Sequence, residues 1–187
     1  MALPKLAVPK YELTVPSTGE TVEYRPFLVK EERVLMMAQE SNDSEQIISA
    51  LKTIIESCTF GKIKPNLLTT YDAEYIFLQL RAKSVGENVE FMLKCEECGH
   101  PIKIEIDLTE VQVTKPEEVS NKIMLNDEVG ITVKPITLGN SKSLMKDSND
   151  ISAVLSSVID TIFDDDGVYK SEDTSQKELD EFINTLN

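Results

Sequence analysis

Histidine is almost missing from this chain: His100 is the single one in 187 residues. Any Cys–His pair or Ser–His–Asp triad would have to be built on it, and its setting in a turn points instead to a solvated ring. Tryptophan is absent and aromatic residues make up only 6%. No apolar run approaches the roughly 18 residues that cross a bilayer, so no membrane partner is expected. The opening residues, Met1-Ala2-Leu3-Pro4-Lys5-Leu6, lack the long apolar core of a signal peptide. With just three cysteines, this gives the expectation of a reducing compartment and of free or metal-bound thiols. Basic residues are few, 19 against 33 acidic, for a net charge of −14. Such a chain repels phosphate backbones and shows no basic stripe, which excludes nucleic acid as a main partner. The acidic excess serves solubility, or complementarity to a basic protein.

Enzyme motifs are missing as well. There is no Gly-x-Gly-x-x-Gly, no Gly-x-Ser-x-Gly and no His-Glu-x-x-His. Gly61-Lys62 fails as a phosphate loop, because Glu56 stands where the first glycine belongs and Ile63 where Ser or Thr does. Asp164-Asp165-Asp166-Gly167 fails as an EF-hand: with Gly167 at loop position 6, Ile162 takes position 1 and Asp173 position 12. That cluster reads as solvated acid at a helix end. Carboxylates are too plentiful for any pair to be informative, and the balance favours a non-enzyme.

What is present suffices for a globular α+β protein. Hydrophobic residues make up 41% and charged residues 28%, ordinary values for a packed domain, and this length builds a core without metal or disulfide. Tyr11–Val15 and Thr21–Arg25 alternate around a turn and predict a hairpin. A helix is expected over Val29–Gln39, with Val34, Leu35 and Ala38 on one side. A second should be capped by Asn42 with Glu45 three residues on. Ile47, Ile48, Leu51, Ile54, Ile55 and Cys58 form its stripe. Cys58 therefore reads as a small core residue. A third helix starts at Thr70, with Asp72 and Glu74 at its positive end. It is apolar on more than one face through Tyr75, Ile76, Phe77, Leu78 and Leu80, and should be the most buried.

Val89–Leu93 and Ile102–Ile106 predict a second hairpin, with Ile123–Leu125 and Ile131–Val133 a last strand pair. Beyond residue 137 helices are expected. One covers Leu138–Lys146, and one capped by Asp150 carries Val154, Leu155, Val158, Ile159, Ile162 and Phe163. The last opens on a Ser175/Glu178 capping box and carries Leu179, Phe182, Ile183 and Leu186. The chain thus divides into an α+β body over residues 1–137 and a helical region over residues 138–187, which either packs on the body or docks on another chain.

The second hairpin turns through Lys94-Cys95-Glu96-Glu97-Cys98-Gly99-His100-Pro101. Cys95 and Cys98 have the spacing of one zinc knuckle, and Gly99 permits the tight turn. His100 is a candidate third ligand, and Cys58 a fourth only if the fold brings it close. A second Cys-x-x-Cys is missing, so the simpler expectation is a remnant knuckle with two reduced thiols and no cofactor. A site shared between subunits is the other reading. A thioredoxin-like role does not fit, because that motif opens a helix and here a strand follows.

Several segments together resemble a known family. They are Leu3-Pro4-Lys5-Leu6, Tyr11-Glu12-Leu13, Tyr24-Arg25-Pro26-Phe27-Leu28-Val29-Lys30-Glu31-Glu32, and Glu74-Tyr75-Ile76-Phe77-Leu78-Gln79-Leu80-Arg81-Ala82-Lys83-Ser84-Val85-Gly86-Glu87, followed by the Cys95/Cys98 hairpin. This series is similar to the baseplate hub proteins of T-even-type contractile-tailed bacteriophages, over roughly residues 3–140. The resemblance implies a viral tail protein without catalytic residues, acting as a hub subunit or as an assembly factor for hub and tape-measure proteins. It further implies a place in the host cytoplasm during assembly or in the virion baseplate. Homo-oligomerisation is left open, and a zinc-ribbon-like protein-binding adaptor is the alternative. In that light Arg25, Arg81 and Lys83 are candidate interface anchors, against the plainer reading of surface charge or helix-end capping. The Leu179, Phe182, Ile183 and Leu186 stripe is a candidate insert for a partner's groove.

Overall fold

The structure is a computed structural model that describes residues 6–114, 120–140 and 151–186. Within them the chain is α+β, with short antiparallel sheets and five α-helices. It forms two compact units: residues 1–65 with 71–113, and residues 66–70 with 114–187. Residues 120–137 lie in the second unit.

The first unit opens on β1 (Tyr11–Thr14) and β2 (Thr21–Tyr24), paired with Tyr11 opposite Tyr24 and Leu13 opposite Val22. Alternation puts Leu13, Val15, Val22 and Tyr24 on one face, and all four are buried. The turn closes through Gly19, whose φ of 73° suits glycine, with its N–H donating to the Val15 carbonyl at 2.8 Å. Helix α1 (Val29–Glu40) follows and packs along α2 (Ser44–Cys58). The cap of α2 is Asp43, which accepts from the Glu45 N–H at 2.9 Å. Asn42, the expected cap, instead takes a left-handed turn at φ 50°, a conformation asparagine tolerates. Ile48, Ile54, Ile55 and Cys58 are buried as the spacing requires, whereas Ile47 faces out.

Helix α3 (Thr70–Val85) leaves only Tyr71, Glu74 and Val85 exposed, as its many-sided apolar pattern predicts. Asp72 does more than meet the helix dipole: buried, it accepts from the Ser17 N–H at 2.9 Å and ties the β1–β2 turn to α3. Then β3 (Asn88–Lys94) and β4 (Pro101–Asp107) pair over seven residues each.

The second unit is a four-stranded antiparallel meander of β5 (Lys122–Met124), β6 (Gly130–Val133), β7 (Ile159–Phe163) and β8 (Val168–Lys170). It also holds α4 (Ile151–Val158) and α5 (Gln176–Ile183). Its core is Ile131, Ile159, Leu179 and Ile183, with Val133, Leu155, Ile162 and Phe182 packed against it. At Gly130 a Cβ would lie 2.6 Å from Cε2 of Phe163 and 3.0 Å from the Ile123 carbonyl oxygen, so the Phe163 ring would have to shift to admit one.

The long helix expected to run through Phe163 is corrected. It ends at Val158, and Ile159–Phe163 is a strand paired with β6. Val158, Ile159, Thr161 and Ile162 are β-branched and prefer a pleated surface. Their spacing satisfied a helical stripe only because a short apolar run fits both periods. The acidic cluster accordingly closes the β7–β8 turn and does not end a helix: Asp164 Oδ1 accepts from the N–H groups of Asp166 and Gly167 at 3.0 and 2.9 Å. Of the expected Leu138–Lys146 helix, Leu138 instead donates its N–H to the Leu68 carbonyl at 2.9 Å. Residues 141–146, the Asp150 cap and the Leu3-Pro4-Lys5 word lie outside the described residues.

Candidate functional site

The β3–β4 hairpin carries the most distinctive chemistry. Its register sets Val89 opposite Ile106, Phe91 opposite Ile104 and Leu93 opposite Ile102. These six side chains share one face, because residues two apart point the same way. The other face is polar, with Glu90 and Lys103 ion-paired at 2.8 Å. The apolar face is not covered: Phe91 is 37%, Leu93 49%, Ile102 47% and Ile106 39% exposed.

At the tip, the Cys95 N–H donates to the His100 carbonyl at 3.0 Å and the Gly99 N–H to the Cys95 carbonyl at 2.9 Å. Gly99 sits at φ 70°, where a side chain would be strained. Hydrogen bonds from Cys98 first, then Glu97, hold the Cys95 thiol below its ordinary range. Cys95 is half-buried and Cys98 exposed. His100 is exposed, and its ring does not join them: among the described residues no three His, Cys, Asp or Glu side chains form a group that could hold a metal. Cys58 is buried in the α2 stripe, and that burial pushes its thiol up to about 11, so it is a packing residue.

Arg25, a candidate interface anchor, lies in the interior of the first unit. It is only 9% exposed. Nη2 donates to Glu31 Oε1 and to Ser57 Oγ, both at 2.9 Å, and Nη1 donates to the Pro26 carbonyl at 2.9 Å. Glu31 Oε2 accepts the Leu28 N–H at 2.9 Å, satisfying the first turn of α1. Burial alone would raise the Glu31 carboxyl. The hydrogen bonds from Arg25, Leu28 and Ser57 outweigh it and bring the carboxyl down to about 2.

Arg81 and Lys83 are half-buried at the end of α3. Arg81 Nη1 donates to the Gly86 carbonyl at 3.3 Å, a helix-end contact. Lys83 pairs with Glu87 and lies 5.4 Å from the Tyr11 ring centre. Nearby, Ser84 Oγ accepts the Phe27 N–H at 2.9 Å. The two long words Tyr24–Glu32 and Glu74–Glu87 are therefore bonded to each other.

In the second unit the Ser175/Glu178 capping box forms as expected. Leu179 and Ile183, at 4% and 5% exposed, are spent on the unit's own core, with Phe182 packed against it. Leu186 lies beyond the helix and is half-buried. One feature escaped the sequence pattern. Helix α1 turns Val34, Met36 and Met37 outward, and Val34, Met37, Ala38 and Ala50 line an open groove of about 280 Å³ against α2. The stretch of adjacent apolar residues, Val34-Leu35-Met36-Met37-Ala38, was its available signal, since a helix cannot bury so broad an arc on one neighbour.

Among the described residues the most distinctive surfaces are the exposed apolar strands, the Cys95/Cys98 turn and the groove lined by Val34 and Met37. Residues 8–187 match the family described as T4 bacteriophage base plate protein, and the chain belongs to that family. Over 183 residues it is 27% identical to the baseplate hub assembly protein gp26 of Enterobacteria phage T4, spanning 95% of this chain and 77% of that protein. The resemblance read from the sequence words is thereby borne out. No solved structure matches. No helix among the described residues is long and apolar enough to cross a membrane.

Proposed function

We propose that this chain builds the baseplate hub of a contractile-tailed phage through protein–protein interfaces and without catalysis. The observation that carries the reading is the family match across residues 8–187, joined to a relative named for hub assembly. The exposed apolar face of β3–β4 and the α1 groove support it, because surfaces of this kind serve association. Its partners are other hub or tape-measure proteins, met in the host cytoplasm as the tail forms. Arg81 and Lys83, at the rim of α3, adjust such contacts in this reading.

The test is deletion of the gene from its phage, with proteomics of virions beside immature tail intermediates. Hubless or stalled tails are expected, rescued by the chain in trans. Normal tail yield on deletion would reject the reading. Presence in intermediates but not in virions would make the chain an assembly factor, and presence in both a subunit.

A further inference from the structure

The Cys95/Cys98 tip has the backbone of a metal knuckle and half of its ligands. The backbone hydrogen bonds from Cys95 to His100 and from Gly99 to Cys95, with the left-handed Gly99, set both cysteines in one turn at the end of the hairpin. A structural zinc ion takes four ligands, typically thiolates or imidazoles in a tetrahedron. Among the described residues this chain does not supply the rest. It holds three cysteines and one histidine; Cys58 is fully buried in the core, and the His100 ring does not group with the pair. A four-sulfur set would need its other two thiolates from another chain.

We infer that Cys95 and Cys98 from two copies of this chain share one zinc ion, with the apolar faces of the two β3–β4 arms packed against each other. A second copy brings two sulfurs on the same backbone, which completes a four-sulfur set symmetrically. It also covers Val89, Phe91, Leu93, Ile102, Ile104 and Ile106 with their own counterparts. The contact area shows why metal is needed. Two strands of seven residues each, at ~3.4 Å per residue and ~4.8 Å apart, present roughly 230 Å², against the roughly 800 Å² per partner of a stable interface. The apolar face alone is too small to hold a dimer, so pairing depends on the ion. Zinc binding displaces the thiol protons to solvent and involves no change of oxidation state. The inference stands apart from the hub reading, since it needs only this chain and the metal.

The experiment is sedimentation of the purified full chain, kept reduced with a phosphine, with zinc added or removed by chelator. Expected are a doubling of mass on zinc, one ion per two chains, and return to monomer on chelation. Cys98→Ser should stay monomeric and retain no stoichiometric zinc, with an unchanged far-ultraviolet circular dichroism spectrum. Phe91→Glu keeps all the thiols and should weaken zinc-dependent pairing at least tenfold. A monomer holding one zinc, a dimer indifferent to chelator, or no zinc retained beyond that of Cys98→Ser would each overturn the proposal. So would zinc retained only in a complex with a different tail protein.

Discussion

The first unit contains two hairpins written in the same alternating pattern but used in opposite ways. In β1–β2, Leu13, Val22 and Tyr24 are between 2% and 6% exposed. In β3–β4, the matching apolar face is between 37% and 49% exposed at four of its positions. Alternation specifies which side chains share a face; only tertiary packing decides whether that face is covered. The first hairpin is covered and is also clamped, by Asp72 on its turn and by the Arg25–Glu31 pair just past its end. The second is tied down by far less and ends in two thiols. One is buried in the fold, and the other is open to solvent.

Mutation can break this contrast. Tyr24→Ala removes a buried ring and should cost about 3–5 kcal/mol. Arg25→Ala takes away the buried countercharge of Glu31, leaving it the Leu28 N–H, Ser57 and the exposed Lys30, and should cost about 3 kcal/mol. Both are read from urea midpoints, and a loss below about 1 kcal/mol in either would mean the first hairpin is not a structural anchor.

Acid probes the same clamp without mutation. Glu31 titrates near 4.5 when unfolded and at about 2 when folded. Its contribution is therefore complete above about pH 4.5 and disappears as pH falls toward 2. By linkage this is about 3 kcal/mol. Urea unfolding followed from pH 6 to pH 2 should show that decline, and Glu31→Gln should flatten it. The smallest effect sharpens the other half of the contrast. Phe91→Ser and Leu93→Ser should each change the stability of the isolated chain by no more than about 0.5 kcal/mol. A loss above 2 kcal/mol from either would place the second hairpin in the fold's own core.

Much of the fold was legible because its signals are local. Both hairpins, α1, α3 and the Ser175/Glu178 capping box follow from alternation, helical spacing and side-chain caps within a few residues. The cap of α2 moved by one position because Asn42 and Asp43 are both good caps, and only the left-handed turn at Asn42 separates them. Strand β7 was missed because its pairing partner, β6, lies about thirty residues upstream. The knuckle was read from spacing alone, whereas the inward turn of Arg25 was not. An arginine beside aromatics suits an interface as well as a core, and the deciding partner, Glu31, lies across a proline turn. The exposure of the β3–β4 face has no local signal at all.

Cys58 sits with its sulfur 3.8 Å from Arg25 Nη1, sealed from solvent, while the other two thiols are partly or wholly open. An alkylating reagent will mark that outer pair at once and reach the third sulfur only when the molecule opens. The chain therefore carries its own clock for native-state opening: the rate at which the last of three labels appears in a mass spectrum measures how often this protein comes apart.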